Sequence, residues 1–484
     1  MRSSTIACGG TYSVKRIHSI QLLYLGVFLA SVFFRLNLSI VNREANDDHM
    51  TVINFILLNE KLPKKDNCWE CFQPKLFHSV VANVITYIGL GKTTDSLDQR
   101  IVIAQLINFA AGVITLIVIW IFIKQLQFQN KRLNFLAFAL VALNPPWIGI
   151  SAQATNDAFV ILFSTLAIYF ASVLLRRDGI LNLLMLIVFA TLAVSSKTNG
   201  WVAVLAIFIT ILVKTWCQTE GRWKSFAFAF TFLFSVAALA TLNPLTQYII
   251  NYQKYGTPFL INMERPSLPS LFEKTPIPDG GILSIQDGFF TFHFASLLAH
   301  PQIDYGDWNF TPQRTSFWTQ LYAKGYSSHF DNYPPSWANS EEHVFMISRG
   351  IFVLAILPTA LLCIGFILGL IGFLKGLFLE KFRAWLRANH FGLFTIVLVG
   401  YLTFLLLYAL IYRDFTTIKA IFLFPALLSF IVLFLSAGEA LYARLSEKNL
   451  GIIPLFETGI SLLLVLNVLD IIVLVMQLQQ HPLA

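Results

Sequence analysis

Charged side chains are scarce in this sequence, and their scarcity excludes a soluble fold. Only 12% of the 484 residues are Asp, Glu, Lys or Arg, whereas soluble globular chains carry about 25%. Hydrophobic residues make up 56% of the chain, and Phe alone occurs 45 times. A soluble domain cannot bury that much apolar surface. We therefore expect an all-α polytopic membrane protein.

Cysteines and basic runs are also few. The five cysteines are too few for a disulfide framework, and only Cys68 and Cys71 have a suggestive spacing. A zinc site would need a second pair or histidines at ligand spacing, so a local disulfide or two free thiols are favoured over a metal. The net charge is +8, but no basic run with interleaved aromatic residues indicates a nucleic-acid partner. We attribute the positive charge to cytoplasmic loops.

Apolar runs of membrane-spanning length recur along the chain. A helix needs about 20 residues to cross the hydrocarbon core, and about eleven runs reach that length. The first run follows Lys15 and Arg16 without a clear small-residue cleavage site, so we interpret it as an uncleaved span. The predicted spans are 17–35, 101–123, 134–151, 157–175, 180–196, 199–216, 225–249, 349–374, 391–412, 417–438 and 452–477.

The short basic loops orient this bundle. With Lys15 and Arg16 in the cytoplasm, alternating spans place every short basic loop on one side, as the positive-inside rule requires. In the first outer loop, residues 45–58 and 76–88 have apolar residues at helical spacing, which predicts two interfacial helices. The segments predicted on the outer side are 36–100, 144–157, 195–200, 251–346 and 412–419.

A pair of carboxylates, Asp47 and Asp48, follows the first span. One of them could take a proton from an acceptor hydroxyl or amine, or could bind a divalent cation. The alternative is a solvated loop or a helix cap, with Asn46 or Asp47 capping a helix from residue 48 onward. Neighbours on a helix point about 100° apart, so only one is expected to face a cavity. Asp48 is slightly favoured because Asp47 is the better placed for capping.

Cations on the outer side cannot serve the positive-inside signal. Lys197, Arg413 and Lys419 lie at the outer ends of predicted spans, and such cations are suited to binding an anion such as a phosphate. The alternative for Lys197 is that its side chain snorkels to the membrane surface. Further candidates for the site have structural alternatives, as helix starts, helix caps or a hydrogen-bonded core histidine. These candidates are His49, Gln73, Lys75, His78, Asn156 and Asp157.

Taken in chain order, these clusters resemble the motifs of the GT-C membrane glycosyltransferases, specifically the protein-O-mannosyltransferase-like group. The resemblance covers the outer loop and roughly the first seven spans. An acidic pair follows the first span. After it come a QPPLYY-like motif, a proline link with Asn-Asp, a K-x-x-G turn, and a late Arg and Lys. The matching segments are Asn46–His49, Gln73–His78, Asn144–Pro146 with Gln153–Asp157, Lys197–Gly200, and Arg413 and Lys419 before Ile421–Pro425.

The sequence departs from these family motifs in four places. Lys75 replaces the second proline of the loop motif, and Phe77-His78 replaces its aromatic pair. The acidic pair is Asp-Asp where Asp-Glu is frequent, and Ile421-Phe422 stands where the family has Arg-Tyr. The order and common side of the motifs therefore carry the resemblance, which says little about a substrate.

The resemblance implies transfer of a sugar from a polyprenyl-phosphate carrier to a glycan, lipid or protein acceptor on the extracytoplasmic face. Asp47 or Asp48 would be the catalytic base, and Lys197, Arg413 and Lys419 would bind the donor phosphate. No cofactor is implied, and a divalent cation stays open. The implied parts are a catalytic transmembrane module (1–250), an extracytoplasmic loop (251–346) and C-terminal helices (347–484).

Two other classes of protein remain as alternatives. A transporter or lipid flippase would use ionisable residues at mid-span and internal repeats, and the sequence has almost no mid-span charge and no obvious repeat. A scaffold subunit of an envelope complex is the other alternative. For the glycosyltransferase and for both alternatives we expect a multi-pass membrane protein, with the bacterial plasma membrane favoured, or the endoplasmic reticulum membrane in a eukaryote.

Overall fold

The computed structural model describes α-helices and 3-10 helices, and it has no strand in the residues that it describes. The expected all-α fold is thus confirmed over these segments. They are residues 10–42, 48–90, 96–126, 128–177, 179–216, 222–260, 288–301, 311–328, 342–379, 391–412, 418–447 and 452–480.

The helices are numbered here in chain order within this described part. Those up to residue 260 are α1 (Gly10–Val41), α2 (His49–Asn59), α3 (Leu76–Tyr87), α4 (Leu97–Gln125), α5 (Lys131–Ala142), α6 (Pro145–Ile150), α7 (Asp157–Arg176), α8 (Ile180–Ser196), α9 (Gly200–Trp216), α10 (Arg222–Leu242) and α11 (Tyr248–Tyr255). Those that follow are α12 (Phe294–Ala299), α13 (Pro312–Thr315), α14 (Phe317–Tyr326), α15 (Glu342–Phe378), α16 (Phe391–Tyr412), α17 (Leu427–Glu447) and α18 (Ile452–Gln480). The 3-10 helices are Lys65–Asn67, Trp69–Phe72 and Ala420–Ala426.

Seven of the described helices are long and apolar enough to cross a membrane. They are α1, α4, α7, α15, α16, α17 and α18. The helices α8, α9 and α10 have shorter apolar stretches of at most 17 residues. All of these helices coincide with predicted spans, but the predicted number of about eleven spans is not confirmed.

The remaining predicted span, 134–151, is wrong as a single helix. The helix α5 ends at Ala142, and α6 starts anew at Pro145, where the Asn144 side chain accepts a hydrogen bond from the Trp147 N–H at 2.9 Å. Pro145 and Pro146 offer no backbone N–H, so α5 cannot continue through them. Proline is well suited to the first turn of a new helix instead.

Arg35 fastens α1 to this broken pair of helices. Its Nε donates to Ser151 Oγ at 2.8 Å, its Nη1 donates to the Ala142 carbonyl at 3.1 Å, and its guanidinium lies 5.5 Å from the centroid of the Trp147 ring. The side chain is fully buried, and no described carboxylate pairs with it. A buried charge held in this way fixes the path of the chain, because moving it away from its partners is costly.

The predicted outer segments meet at one end of the bundle. The Lys75 N–H donates to the Leu245 carbonyl at 2.7 Å, which joins the first outer loop to the segment after α10. Lys254 pairs with Asp66 at 2.5 Å and connects α11 to the same loop. Their common side, inferred from charge alone, therefore agrees with these contacts. The two predicted helices of the first loop are present as α2 and α3.

Two glycines spaced four residues apart allow α15 and α17 to approach closely. A Cβ at Gly365 would overlap the backbone carbonyl of Leu433 in α17. One at Gly369 would lie 3.2 Å from the Leu433 side chain, and 2.6 Å from Thr395 Oγ1 of α16. Small residues at this spacing let helix backbones pack in membranes, where dispersion replaces the hydrophobic effect. The close contact therefore depends on the absence of a side chain at Gly365.

Gly365→Ala should destabilise the protein by about 1–3 kcal/mol, because overpacking a close contact forces the backbones apart. The measurement is the midpoint of thermal unfolding of the purified protein in detergent. Gly26→Ala is the matched control, because nothing lies within 4 Å of a Cβ at Gly26. Equal midpoints for the two variants would contradict the close approach of α15 and α17.

Candidate active site

A disulfide-closed turn precedes α3 in the first outer loop. Cys68 and Cys71 are bonded, with their Cα atoms 5.0 Å apart, and they bracket the start of the 3-10 helix Trp69–Phe72. The local disulfide, which the sequence left open beside free thiols, is therefore what the structure contains. It shortens the connection into Gln73 and Lys75, and so holds the start of α3 close to the bundle.

Asp48 stands at the N-cap position of α2, and it is exposed. The helix starts at His49, so the predicted start at residue 48 with a cap at Asn46 or Asp47 is wrong by one residue. The backbone of Asp48 is left-handed, with φ of 60°, and its carboxylate accepts from the Thr51 hydroxyl rather than from a backbone N–H. Aspartate tolerates this conformation. Asp47 lies outside the described residues.

An ion pair between Asp157 and Lys197 forms the centre of the site. Lys197 Nζ donates to Asp157 Oδ1 at 2.7 Å, and the two side chains are 13% and 6% exposed. Asp157 begins α7, Lys197 directly follows α8, and the ammonium lies 5.1 Å from the centroid of the Phe422 ring. The snorkelling alternative is wrong, because the side chain ends on a carboxylate. The sequence did not predict that these two candidates would pair.

Gln73 connects the first outer loop to the start of α7. Its side-chain oxygen accepts from Asn156 Nδ2 at 2.7 Å, and its amide donates to Glu70 Oε2 at 2.6 Å. Asn156 also donates to the Ser196 carbonyl at 3.2 Å, one residue before Lys197. Both candidates are thus linkers of the site, and the Asn156 side chain does not cap the helix.

Lys75 is fully buried at the start of α3. Its ammonium donates to the carbonyl of Cys71 at 2.7 Å and to that of Gln73. Burial lowers the pKa of Lys75 to about 7, against the opposing effect of Glu70. At the position of the motif's proline, this lysine therefore supplies hydrogen-bond donors that stabilise the turn at Cys71–Gln73.

His49 and His78 are in direct contact between α2 and α3. His49 Nδ1 lies 3.0 Å from His78 Nε2, and His49 Nε2 lies 3.3 Å from Thr155 Oγ1. Thr155 in turn donates to Asp157 Oδ2 at 2.9 Å. Both imidazoles are buried. Sequence reasoning missed Thr155, although a hydroxyl two residues before a carboxylate at a helix start is a recognisable signal.

Further cations lie near the 3-10 helix Ala420–Ala426. Lys419 precedes it, and Lys324 of α14 is buried with its ammonium 3.0 Å from the Ile418 carbonyl. Arg413 lies outside the described residues. Lys324 was missed, because nothing in the sequence distinguishes it from other lysines of the long outer loop.

A large apolar cavity of about 700 Å³ lies beside the same 3-10 helix. Ala420, Leu423 and Phe424 form part of its wall, and so do residues of α5, α14, α15, α16 and α17. Polar groups are few along this wall. A cavity with this lining suits an extended hydrocarbon chain.

No group of three or more His, Cys, Asp or Glu side chains that could hold a metal occurs in the described part of the chain. A cation site that involved Asp47 would lie outside it. The described site therefore consists of an ion pair, a histidine pair and amide links.

Residues 94–244 match the family described as dolichyl-phosphate-mannose-protein mannosyltransferase. These residues make up less than a third of the chain. The resemblance inferred from the motifs is confirmed over this stretch. The matched residues include Asp157 and Lys197, whereas Asp48 and Gln73 precede them.

Solved structures similar to this chain include the Saccharomyces cerevisiae protein O-mannosyltransferase Pmt1–Pmt2 complex bound to the sugar donor. The identity is 15%, 55% of this chain and 38% of that chain are covered, and the TM-score is 0.39. The Archaeoglobus fulgidus oligosaccharyltransferase AglB, in complex with an inhibitory peptide and a dolichol-phosphate, has 13% identity, 94% and 56% coverage and a TM-score of 0.44. ArnT from Cupriavidus metallidurans, bound to undecaprenyl phosphate, has 13% identity, 88% and 79% coverage and a TM-score of 0.34. The chain thus spans 38% of the first of these proteins and 56% of the second. No curated protein sequence gives a significant match.

The stability of the protein should rise between pH 7 and 10 because of Lys75. In this window the unfolded lysine, with a pKa near 10.4, binds a proton that the buried amine has lost, so raising the pH favours the folded state. The gain is about 1.4 kcal/mol per pH unit at most. Lys75→Met should remove this part of the rise, measured as unfolding midpoints at pH 7, 8.5 and 10.

The control is Lys61→Met, which changes an exposed lysine of the same loop. It should keep the slope of the parent protein. A parent-like slope in Lys75→Met would show that the buried amine does not lose its proton.

Proposed function

We propose that the protein transfers a sugar from a polyprenyl-phosphate carrier to an acceptor on the extracytoplasmic face of the membrane. Lys197 and Lys419 bind the donor phosphate, together with Arg413, and an aspartate of the first outer loop takes the proton of the acceptor. The observation that carries this proposal is the position of Lys197. Its ammonium lies over Phe422, in the same 3-10 helix whose residues line the apolar cavity.

The ion pair with Asp157 suits Lys197 to this role. An ammonium has three donor positions, and one of them is used by Asp157 Oδ1. The carboxylate therefore orients the ammonium without saturating it. Because the pair is mostly shielded from water, its charges act on a phosphate more strongly than exposed charges would.

The cavity supports a lipid-linked donor. An isoprenoid chain gains about 0.8 kcal/mol per buried CH₂ group, so an apolar wall can hold the carrier while polar groups orient its phosphate. Ala420 and Leu423 lie next to Lys419 in the chain and line this wall. A phosphate near Lys419 could therefore connect to a chain in the cavity.

The acceptor side is supported by Asp48. Its carboxylate is exposed, and no cation among the described residues pairs with it. It is thus able to approach a hydroxyl or amine of a glycan, lipid or protein acceptor. Direct displacement at the sugar carbon would follow, with the charge of the departing phosphate stabilised by the cations.

The disulfide supports the extracytoplasmic side. Disulfides persist in oxidising compartments such as the bacterial periplasm or the lumen of the endoplasmic reticulum. Cys68 and Cys71 lie in the loop that the charge pattern placed outside. Both compartments face away from the cytoplasm, which supports an extracytoplasmic reaction.

Asp48→Asn should lower turnover by about 10²–10⁴-fold if this carboxylate is the base. The assay uses the purified protein in lipid nanodiscs with polyprenyl-phosphate-linked sugars and counts the sugar transferred to acceptors. Asp47→Asn is the matched variant and should be milder. Parent-like turnover in both variants would reject the base and favour a transporter, whereas a parent protein inactive with every lipid-linked donor would reject the function.

Gly325→Trp should weaken donor binding about tenfold or more, because an indole in the cavity displaces at least two CH₂ groups of the carrier. Gly325 lines the cavity, and nothing lies within 4 Å of its Cβ position. Binding of a fluorescent polyprenyl-phosphate sugar measures the effect. Gly26→Trp, in α1 and with equally open space, is the control. An unchanged dissociation constant for Gly325→Trp would place the carrier elsewhere.

A further inference from the structure

Five side chains form one continuous hydrogen-bonded line at the outer end of the bundle. It runs from His78 to His49 at 3.0 Å, from His49 to Thr155 at 3.3 Å, from Thr155 to Asp157 at 2.9 Å, and from Asp157 to Lys197 at 2.7 Å. The line joins three separate parts of the chain, the first outer loop, the start of α7 and the end of α8. The proposed chemistry uses only its last member.

The ionised carboxylate fixes the direction of every proton in this line. Asp157 can only accept, so the Thr155 hydroxyl donates to it and must itself accept from His49 Nε2–H. In its singly protonated form, His49 then has a lone pair on Nδ1, which accepts from His78 Nε2–H. All protons therefore point towards Asp157, and the remaining site for a further proton is His78 Nδ1.

The surroundings of His78 favour its neutral form. Burial lowers the pKa of His78 well below its usual value, and His49, Lys75 and Lys197 act in the same direction, whereas the Pro74 carbonyl opposes them. Among the residues that the structure describes, the negative groups that face the line are Asp157, within it, and Glu70, whose carboxylate is held by Gln73. Few described negative groups therefore face this cluster. The arrival of an anion would favour the binding of a proton by it.

We propose that binding of the anionic lipid-linked donor is coupled to uptake of one proton by this line of side chains. The proton enters at His78 Nδ1, each hydrogen bond reverses in turn, and Asp157 Oδ2 receives the last proton. Asp157 is then neutral, and Lys197 can turn its full charge to the phosphate. This inference rests on the proposed function.

The chemistry of sugar transfer gives this proton a role. The donor is a phosphodiester with one negative charge, and breaking its sugar–oxygen bond leaves a phosphomonoester with two. The acceptor loses its proton to the base and forms the new bond to the sugar carbon. A proton held beside Lys197 compensates the second negative charge as it develops. His49, Thr155 and His78 therefore act through Asp157 as positioning residues.

The test measures donor binding rather than turnover. Dolichyl phosphomannose is titrated into the full-length protein in nanodiscs by calorimetry between pH 5.5 and 7.5, in buffers of different ionisation enthalpy. A phosphodiester keeps its charge across this range. The dissociation constant should therefore fall up to tenfold per pH unit as the pH is lowered, and uptake should approach one proton per donor.

His78→Gln should remove most of the pH dependence, because the amide can still donate to His49 but cannot take the proton. Thr155→Val should do the same by cutting the line, whereas Thr155→Ser, which keeps the hydroxyl, should restore it. His300→Gln, at an exposed histidine outside the line, is the matched control and should behave like the parent. Thr155→Val, which nearly preserves shape, decides the question if His78→Gln does not fold.

Two kinds of failure are distinguishable. Binding that does not depend on pH in the parent overturns the coupling alone, and so does a parent-like slope in His78→Gln or Thr155→Val. Absence of donor binding at every pH overturns the proposed function and the coupling with it.

Discussion

The ion pair between Asp157 and Lys197 is the interaction on which the site depends. A buried ion pair is stable only if further hydrogen bonds satisfy its charges, because desolvation otherwise exceeds the attraction. Thr155 provides such a bond to the free oxygen of Asp157, and the Phe422 ring lies against the ammonium. The pair joins the start of α7 to the end of α8. It thus fixes two adjacent helices and a cation in one arrangement.

The first outer loop is positioned by the same centre. Gln73 reaches Asn156 and His49 reaches Thr155, so both halves of the loop hold on to the segment before α7. The disulfide makes the intervening turn compact, and Arg35 holds the other end of that segment through Ser151. Most of these interactions contribute little stability individually. Together they satisfy polar atoms that the membrane-embedded bundle could not leave unpaired.

Lys75 illustrates how a departure from a motif can be read only in three dimensions. In sequence it replaces a proline, and nothing local explains a lysine there. In the fold its backbone N–H bonds to Leu245 and its ammonium bonds to the Cys71 carbonyl. Proline could supply neither bond. Where the motif has a rigid proline ring, this chain therefore has a lysine that bonds both to the segment after α10 and to the preceding turn.

The sequence by itself determined the class of fold, most of the apolar helices, the two helices of the first outer loop and the gathering of polar clusters on one side. These follow from local properties, which are hydropathy, helical spacing and loop charge. It could not determine how many of the apolar helices are long enough to span a membrane. It also could not determine that the helix breaks at Asn144–Pro146, or that α2 starts one residue later than predicted. The pairing of Asp157 with Lys197, the contact of His49 with His78 and the burial of Lys75 were decided by tertiary structure alone. The histidines are 29 positions apart in the chain and the ion-paired residues are 40 apart, whereas the burial of Lys75 depends on the residues that surround it. Sequence spacing does not encode such contacts.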